Sequence, residues 1–213
     1  MRLGFLWDMT LCVSCGACVA ACSAANYPDE RWMENRSWDW LTSNILLTYY
    51  DEPPTGRAYS LITSCQQCDN PPCVNVCPTG ASYIDKDTGL VLIDYDKCIG
   101  CRYCMAACPY GMRWLDNIHG WPNKCPGPDS QERISNGQSP ACVEVCPTGA
   151  RLFGDLDDPN SEISIRLSES VAVRLLEDKG TEPKYFVVVG RSQVAAAPAS
   201  QATAAQVAQG GGE

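Results

Sequence analysis

The residues with chemistry in this chain are its cysteines. Cys98, Cys101, Cys104 and Cys108 follow C-x2-C-x2-C-x3-C in Asp96–Tyr110, and Pro109 comes straight after the last. Three thiolates spaced this way reach three corners of one iron–sulfur cube from a single tight loop, whose backbone N–H groups bond the sulfurs. The fourth is carried by a short helix to a second cube. The same spacing recurs at Cys12, Cys15, Cys18 and Cys22, without the proline. A related set, C-x2-C-x4-C-x3-C, spans Cys65, Cys68, Cys73 and Cys77, and a partial one comprises Cys125, Cys142 and Cys146. Zinc usually takes two C-x2-C pairs rather than such triplets. Thiols so closely spaced are also badly placed to pair among themselves as disulfides. The chemistry this leaves is one-electron transfer.

The chain shows no sign of bond-making catalysis. It has no nucleophile–base pair, no G-x-G-x-x-G and no Walker loop. Its one histidine, His119, sits beside Gly120 and reads as a surface or cluster-packing residue. It is therefore expected not to be an enzyme by itself. Ligand type, N–H···S bonds, burial and nearby charge would set the cluster potentials. Lys97, Arg102 and Lys124 lie beside ligands, either as tuning charges or as solvated cations. Tyr103 and Trp114 are expected to shield clusters from water.

Composition agrees. Among 213 residues are 15 Cys but only 3 Phe, so the organic core is thin and metal binding would supply much of the folding free energy. Fifteen is odd: either one thiol is free or one ligand is missing from a set of sixteen. A net charge of −9 argues against nucleic-acid binding. No run of eighteen apolar residues is present to span a membrane. Residues 1–11 lack a signal-peptide core and a twin-arginine pair, so the expectation is a cytoplasmic protein or one exported with a partner.

The elements that must position the cysteines are short. Strands are expected at Leu3–Trp7, Ile45–Tyr50, Met112–Leu115 and Lys184–Val189, with a hairpin of Tyr83–Asp85 and Leu90–Ile93 about Asp87-Thr88-Gly89. Helical turns are expected at Glu162–Leu167 and Val171–Glu177, and a surface loop at Asp129–Ser139. Residues 26–60 form an aromatic insertion (Tyr27, Trp32, Trp38, Trp40, Tyr49, Tyr50, Tyr59) that covers the core or docks a partner. Ser192–Glu213 is a low-complexity Ala/Gln/Gly-rich tail, expected to be disordered alone.

Self-similarity organises the whole. TLCVSCGACVAAC and DKCIGCRYCMAAC are one unit written twice; CVNVCPTGA and CVEVCPTGA are another. The expected fold is α+β: two nested ferredoxin-like two-cluster modules with small antiparallel hairpins. Residues 61–116 form the inner module, and residues 1–25 with 117–155 the outer one. Residues 156–191 are a C-terminal extension. Two-cluster ferredoxins exchange their last cysteine. Under that rule Cys12, Cys15, Cys18 and Cys146 bind cluster 1; Cys65, Cys68, Cys73 and Cys108 bind cluster 2; and Cys98, Cys101, Cys104 and Cys77 bind cluster 3. Cys22, Cys125 and Cys142 remain for cluster 4.

Over roughly Leu3 to Arg191 the sequence resembles the four-cluster, ferredoxin-like iron–sulfur (B) subunit of molybdopterin oxidoreductases, the dimethyl sulfoxide, polysulfide, thiosulfate and arsenate reductases. The resemblance rests on DMTLCVSCGACVAAC, CQQCDNPPCVNVCPTGASY, DKCIGCRYCMAACPYG and PACVEVCPTGARLFGDLDDP. It implies an electron-transfer subunit placed between a molybdenum or tungsten pterin subunit and a quinone or other redox partner, with a membrane anchor subunit as an option. The alternative is a free-standing polyferredoxin serving a hydrogenase or formate dehydrogenase. One departure stands out. The family writes K-C-x2-C in its fourth set, whereas here Lys124-Cys125-Pro126-Gly127-Pro128 has proline at the second ligand position. The expectation is three [4Fe-4S] clusters plus an atypical fourth. That fourth is a [3Fe-4S] cluster, a [4Fe-4S] cluster with Asp129 or water as ligand, or absent; the reading leans to four irons with a non-cysteine ligand.

Overall fold

Leu3–Asp8 (LGFLWD) forms strand β1 and is buried at every position. A strand with no solvent face needs cover on both sides and pairing on both edges. The computed structural model, which describes residues 1–27, 43–52, 57–116, 119–128, 133 and 136–191, supplies all of these. β1 lies inside a four-stranded sheet, with a strand paired to each of its edges. β8 (Arg151–Asp155) runs antiparallel to it, with Phe5 opposite Phe153. β10 (Tyr185–Arg191) runs parallel, with Phe5 opposite Tyr185. β9 (Ser170–Arg174) closes the outer edge against β10.

One face of this sheet is aliphatic. Leu6, Leu152 and Val188 pack with Ile163 of helix α5 (Glu162–Ser168), whose N-terminus is capped by Ser161 Oγ accepting from Ser164 N at 3.2 Å. The other face is rich in sulfur. Phe5, Trp7, Tyr185 and Val187 share a core with Ile45, Ile62, Cys18, Cys22, Cys125 and Cys142.

Three two-stranded pieces complete the sheets: β2 (Leu46–Glu52) with β3 (Arg57–Thr63), β4 (Ser82–Ile84) with β5 (Val91–Ile93), and β6 (Trp114–Leu115) with β7 (Pro122–Asn123). Four helices follow cysteines in the chain: α1 (Ala17–Asn26), α2 (Pro72–Asn75), α3 (Tyr103–Ala107) and α4 (Ala141–Glu144). α1 packs on α4, and α2 on α3. The protein is thus a small α+β structure of short helices and small sheets.

One expected element is wrong. Val171–Glu177 does not form helical turns; Ser170–Arg174 is strand β9, followed by a 3₁₀ turn at Glu177–Lys179. Val171 and Val173 face solvent while Ser170, Ala172 and Arg174 are half buried, a period of two. β10 supplies the partner, pairing Val187 with Val173, and this pairing fixes the segment as strand. Trp32, Trp38, Trp40, Asp129 and the tail from Ser192 lie outside the described residues.

Gly4, in the middle of β1, has no room for a side chain. An added Cβ would stand 2.7 Å from both Lys184 O and Leu156 Cδ1. Gly4→Ala should therefore push β1 away from β10 and cost about 1–3 kcal/mol as an overpacked core site. A lowered thermal midpoint for release of the bound clusters is the measurement that checks it.

Candidate metal centres

The cysteine loops are shaped by left-handed residues. Ser14 (φ 56°) and Gly16 (φ 73°) lie between Cys12 and Cys18; Gly100 (φ 66°) and Arg102 (φ 65°) take the same positions between Cys98 and Cys104. Left-handed turns curl a loop so that its N–H groups point inward, forming an anion-binding concavity. Arg102 holds this conformation without glycine's freedom, a strain of about 1 kcal/mol or more that sparsely populated backbone at a functional site carries.

None of the fifteen cysteines is paired in a disulfide. The structure brings them together in groups drawn from distant segments. Cys77, Cys98, Cys101 and Cys104 line one cavity, together with Ser82, Ile99 and Arg113. Cys65, Cys73 and Cys108 act electrostatically on the Cys68 thiol. Cys12, Cys142 and Cys146 act on Cys18. Cys22 and Cys142 act on Cys125, and so does Cys65. Cys15 is exposed at the tip of its loop. Among the described residues, no three His, Cys, Asp or Glu side chains gather tightly enough for one metal ion. The Cys77, Cys98, Cys101 and Cys104 thiols stand around a wider space.

Burial dominates the electrostatics. It pushes the Cys68 thiol up to about 12 and raises Cys18, Cys22, Cys73, Cys104 and Cys125 as well. Cys77 and Cys146 go the other way. Burial works to raise them, but N–H and hydroxyl donors from Ser82, Thr79 and Ala81, and from Thr148, Arg151 and Ala150, outweigh it and lower both. Other donors aim at sulfur too: Asn44 N to Cys22 Sγ at 3.3 Å, Ser82 N to Cys77 Sγ at 3.4 Å, and Arg113 Nη2 to Cys73 Sγ at 3.1 Å. Two buried donors, Arg113 Nη1 and Arg151 Nε, have no hydrogen-bond partner among the described residues. Buried thiols facing donors and cations are a donor set suited to iron–sulfur clusters, whose sulfurs accept such bonds.

The other expected side chains divide. Trp114 is buried, its Nε1 donating to Asn44 Oδ1 at 3.0 Å, so it does screen the interior. Tyr103, at the start of the one-turn helix α3, is 60% exposed. Lys97 and Arg102 are exposed, and Lys97 pairs with Asp94. Lys124 is buried, with Nζ donating to Cys125 O at 2.7 Å. His119 stacks on Trp121 and bonds Asp116, a packing role. Sequence reasoning missed Arg113 and Arg151. The signal was present: each lies five residues after the last cysteine of its run, Cys108 and Cys146, in CPYGMR and CPTGAR.

Residues 11–81 and residues 58–156 each match the family described as the 4Fe-4S dicluster domain. The B polypeptide of polysulfide reductase from Wolinella succinogenes is 41% identical over 189 residues, covering 88% of this chain and 94% of that protein. This protein belongs to the iron–sulfur B-subunit family of molybdopterin oxidoreductases. The B polypeptide of sulfite dehydrogenase from Allochromatium vinosum is 39% identical over 205 residues, with 85% and 80% of the two chains covered. The hydrogenase-2 operon protein HybA of Escherichia coli O157:H7 is 39% identical over 183 residues, covering 78% of this chain and 56% of that protein. As a member of this family the protein transfers electrons within an oxidoreductase complex and does not catalyse by itself. Its two dicluster domains together provide for four clusters.

The sulfur-rich face of the core makes metal and fold inseparable. Stripping iron with a chelator under anaerobic conditions should therefore abolish the near-ultraviolet circular dichroism of Trp7 and Tyr185 together with the visible absorbance. Retention of the aromatic signal after complete iron loss would contradict this.

Proposed function

We propose that this chain is an electron wire joining a molybdenum or tungsten pterin catalytic subunit to a quinone or other redox partner, with a membrane anchor subunit completing the complex. The observation that carries it is that neighbouring thiol sets lie within electrostatic reach of one another or share a bonded arginine. Cys142 of the cluster 4 set acts on Cys18 of the cluster 1 set, Cys65 of the cluster 2 set acts on Cys125 of the cluster 4 set, and Arg113 touches Cys73 and lines the cavity of the cluster 3 set. The order of sets this gives is 1–4–2–3. The ligands are those of the exchange rule: Cys12, Cys15, Cys18 and Cys146; Cys22, Cys125 and Cys142; Cys65, Cys68, Cys73 and Cys108; Cys77, Cys98, Cys101 and Cys104. Packing of α1 on α4 and of α2 on α3 supports the nesting of residues 61–116 within an outer module of residues 1–25 and 117–155. The extension, residues 156–191, adds β9 and β10 to that module's sheet.

A bound cluster supplies reversible uptake of one electron. The chain's part is to hold it by thiolate, bond its sulfurs and keep water away. Among the described residues no helix is long and apolar enough to cross a membrane.

For the fourth site we assign a three-iron cluster. Cys22, Cys125 and Cys142 are buried, and so is Pro128, where the family's pattern has a thiolate. A buried proline offers no ligand of its own, which favours the three-iron form over the four-iron alternative. Pro128→Cys should convert it: the oxidised-state EPR signal of the three-iron form should vanish, with a gain of about one iron per chain. An unchanged spectrum in a correctly loaded variant would overturn the assignment.

The partner is tested by purification from the native source. A large molybdenum- or tungsten-containing chain should co-elute. A lone 23.2 kDa species that still exchanges electrons would favour the hydrogenase-serving alternative, which the likeness to HybA supports.

A further inference from the structure

Two guanidinium groups lie where the thiol sets meet. Arg113 Nη2 donates to Cys73 Sγ at 3.1 Å and to Ser82 Oγ at 2.6 Å, and the same side chain lines the cavity of Cys77, Cys98, Cys101 and Cys104. It therefore faces the cluster 2 and cluster 3 sets together. Arg151 Nη2 lies 3.8 Å from Cys142 Sγ, and its Nη1 donates to Tyr185 OH at 3.3 Å; Tyr185 OH in turn donates to Ile62 O at 2.8 Å. Its charge also acts on Cys18, so it faces the cluster 4 and cluster 1 sets.

Neither arginine is there as a surface cation. They are 5% and 2% exposed. Among the described residues neither is paired with a carboxylate. The partners they do have, Ser82 and Tyr185, are neutral hydroxyls that orient the group without cancelling its charge. Arginine does not shed its proton, and a buried charge left uncompensated is strongly unfavourable. The anions facing each group are cysteine sulfurs of two different sets. Thiolates around a metal cluster thus supply the countercharge, and the guanidinium is shared between them.

The repeat reinforces this. Position five after the last cysteine is Arg113 after Cys108 and Arg151 after Cys146, but Ser82 after Cys77 and Tyr27 after Cys22. Each pair of interlocked sets therefore receives one cation and one neutral hydroxyl. At the inner pair the hydroxyl, Ser82, is itself bonded to the cation.

We propose that Arg113 and Arg151 are fixed positive charges, each shared by two neighbouring clusters, that raise the reduction potentials of both together and so keep the two stations of each pair close in energy. The proposal rests on the ligand sets given above. An added electron is stabilised by a nearby positive charge whose field is barely screened in a buried site. A charge placed between two clusters lifts both without opening a gap between them. A merely structural arginine would hold its loop and leave potentials to the ligands.

The test is EPR-monitored redox titration of the intact complex, comparing Arg113→Met, Arg113→Lys and the parent. The expected result is a downward shift of two cluster potentials in Arg113→Met, with the other two unmoved, and restoration toward the parent values in Arg113→Lys. Cys73→Ser and Cys104→Ser identify which signals belong to which cluster. If they alter one and the same cluster, the ligand sets fail. If they alter two different clusters and Arg113→Met moves only one, or none, at unchanged iron content, the shared-charge proposal fails alone. Should Arg113→Met not load its clusters, Arg113→Gln serves in its place, and Arg151→Gln with Arg151→Lys repeats the comparison for clusters 1 and 4. Unmoved potentials in both loaded Gln variants overturn it.

Discussion

Sulfur inside the core is the constraint on which the rest of this structure depends. Cys18, Cys22, Cys125 and Cys142 are packed with Phe5, Trp7, Tyr185, Ile45 and Ile62 in one cluster. Burial makes Cys18, Cys22 and Cys125 poor acids, and a bare thiolate there would be expensive. Bonding to iron turns the same atoms into the cross-links of the fold, because it brings a cation to each sulfur. A polypeptide with three Phe and fifteen Cys can then do without a larger hydrocarbon interior.

The charge distribution follows from that choice. The protein as a whole is acidic, yet Arg113, Lys124, Arg151 and Lys184 are all buried. Lys184 answers Asp69 at 3.0 Å and belongs to the packing of β1 against the Leu90 hairpin, where its Nζ also donates to Gly89 O. The other three surround the thiol sets. Acid residues such as Asp94, Asp157 and Asp158 lie toward solvent. The inversion puts positive charge where electrons are to reside and leaves the surface negative.

Much of this was readable in the sequence because its grammar is local. A C-x2-C-x2-C loop dictates its own geometry, and Gly16 and Gly100 mark the turns that let it close. The strands at Leu3–Asp8 and Tyr185–Arg191 are built on the apolar runs Leu3–Trp7 and Tyr185–Val189, and Glu162–Ser168 is preceded by its serine cap, Ser161. What was not readable depends on contacts between distant segments. Ser170–Arg174 has an alternation too short to decide until β10 pairs with it. β8 begins inside a cysteine motif, so its strand character was hidden behind the ligand pattern. Arg113 and Arg151 look like ordinary surface cations until the fold buries them against sulfur. The exposure of Tyr103 depends on what surrounds a one-turn helix, which the local sequence does not state.

The parallel pairing of β1 with β10 has a consequence for biosynthesis. β1 is formed by residues 3–8, but its two edge partners are residues 151–155 and 185–191. As the polypeptide leaves the ribosome, this largely apolar strand emerges before either of its partners. It must wait for nearly all of the described residues to follow before its backbone is satisfied. During that interval it is an unpaired, sticky edge. The final sheet therefore closes only after the last cysteine, Cys146, has been translated.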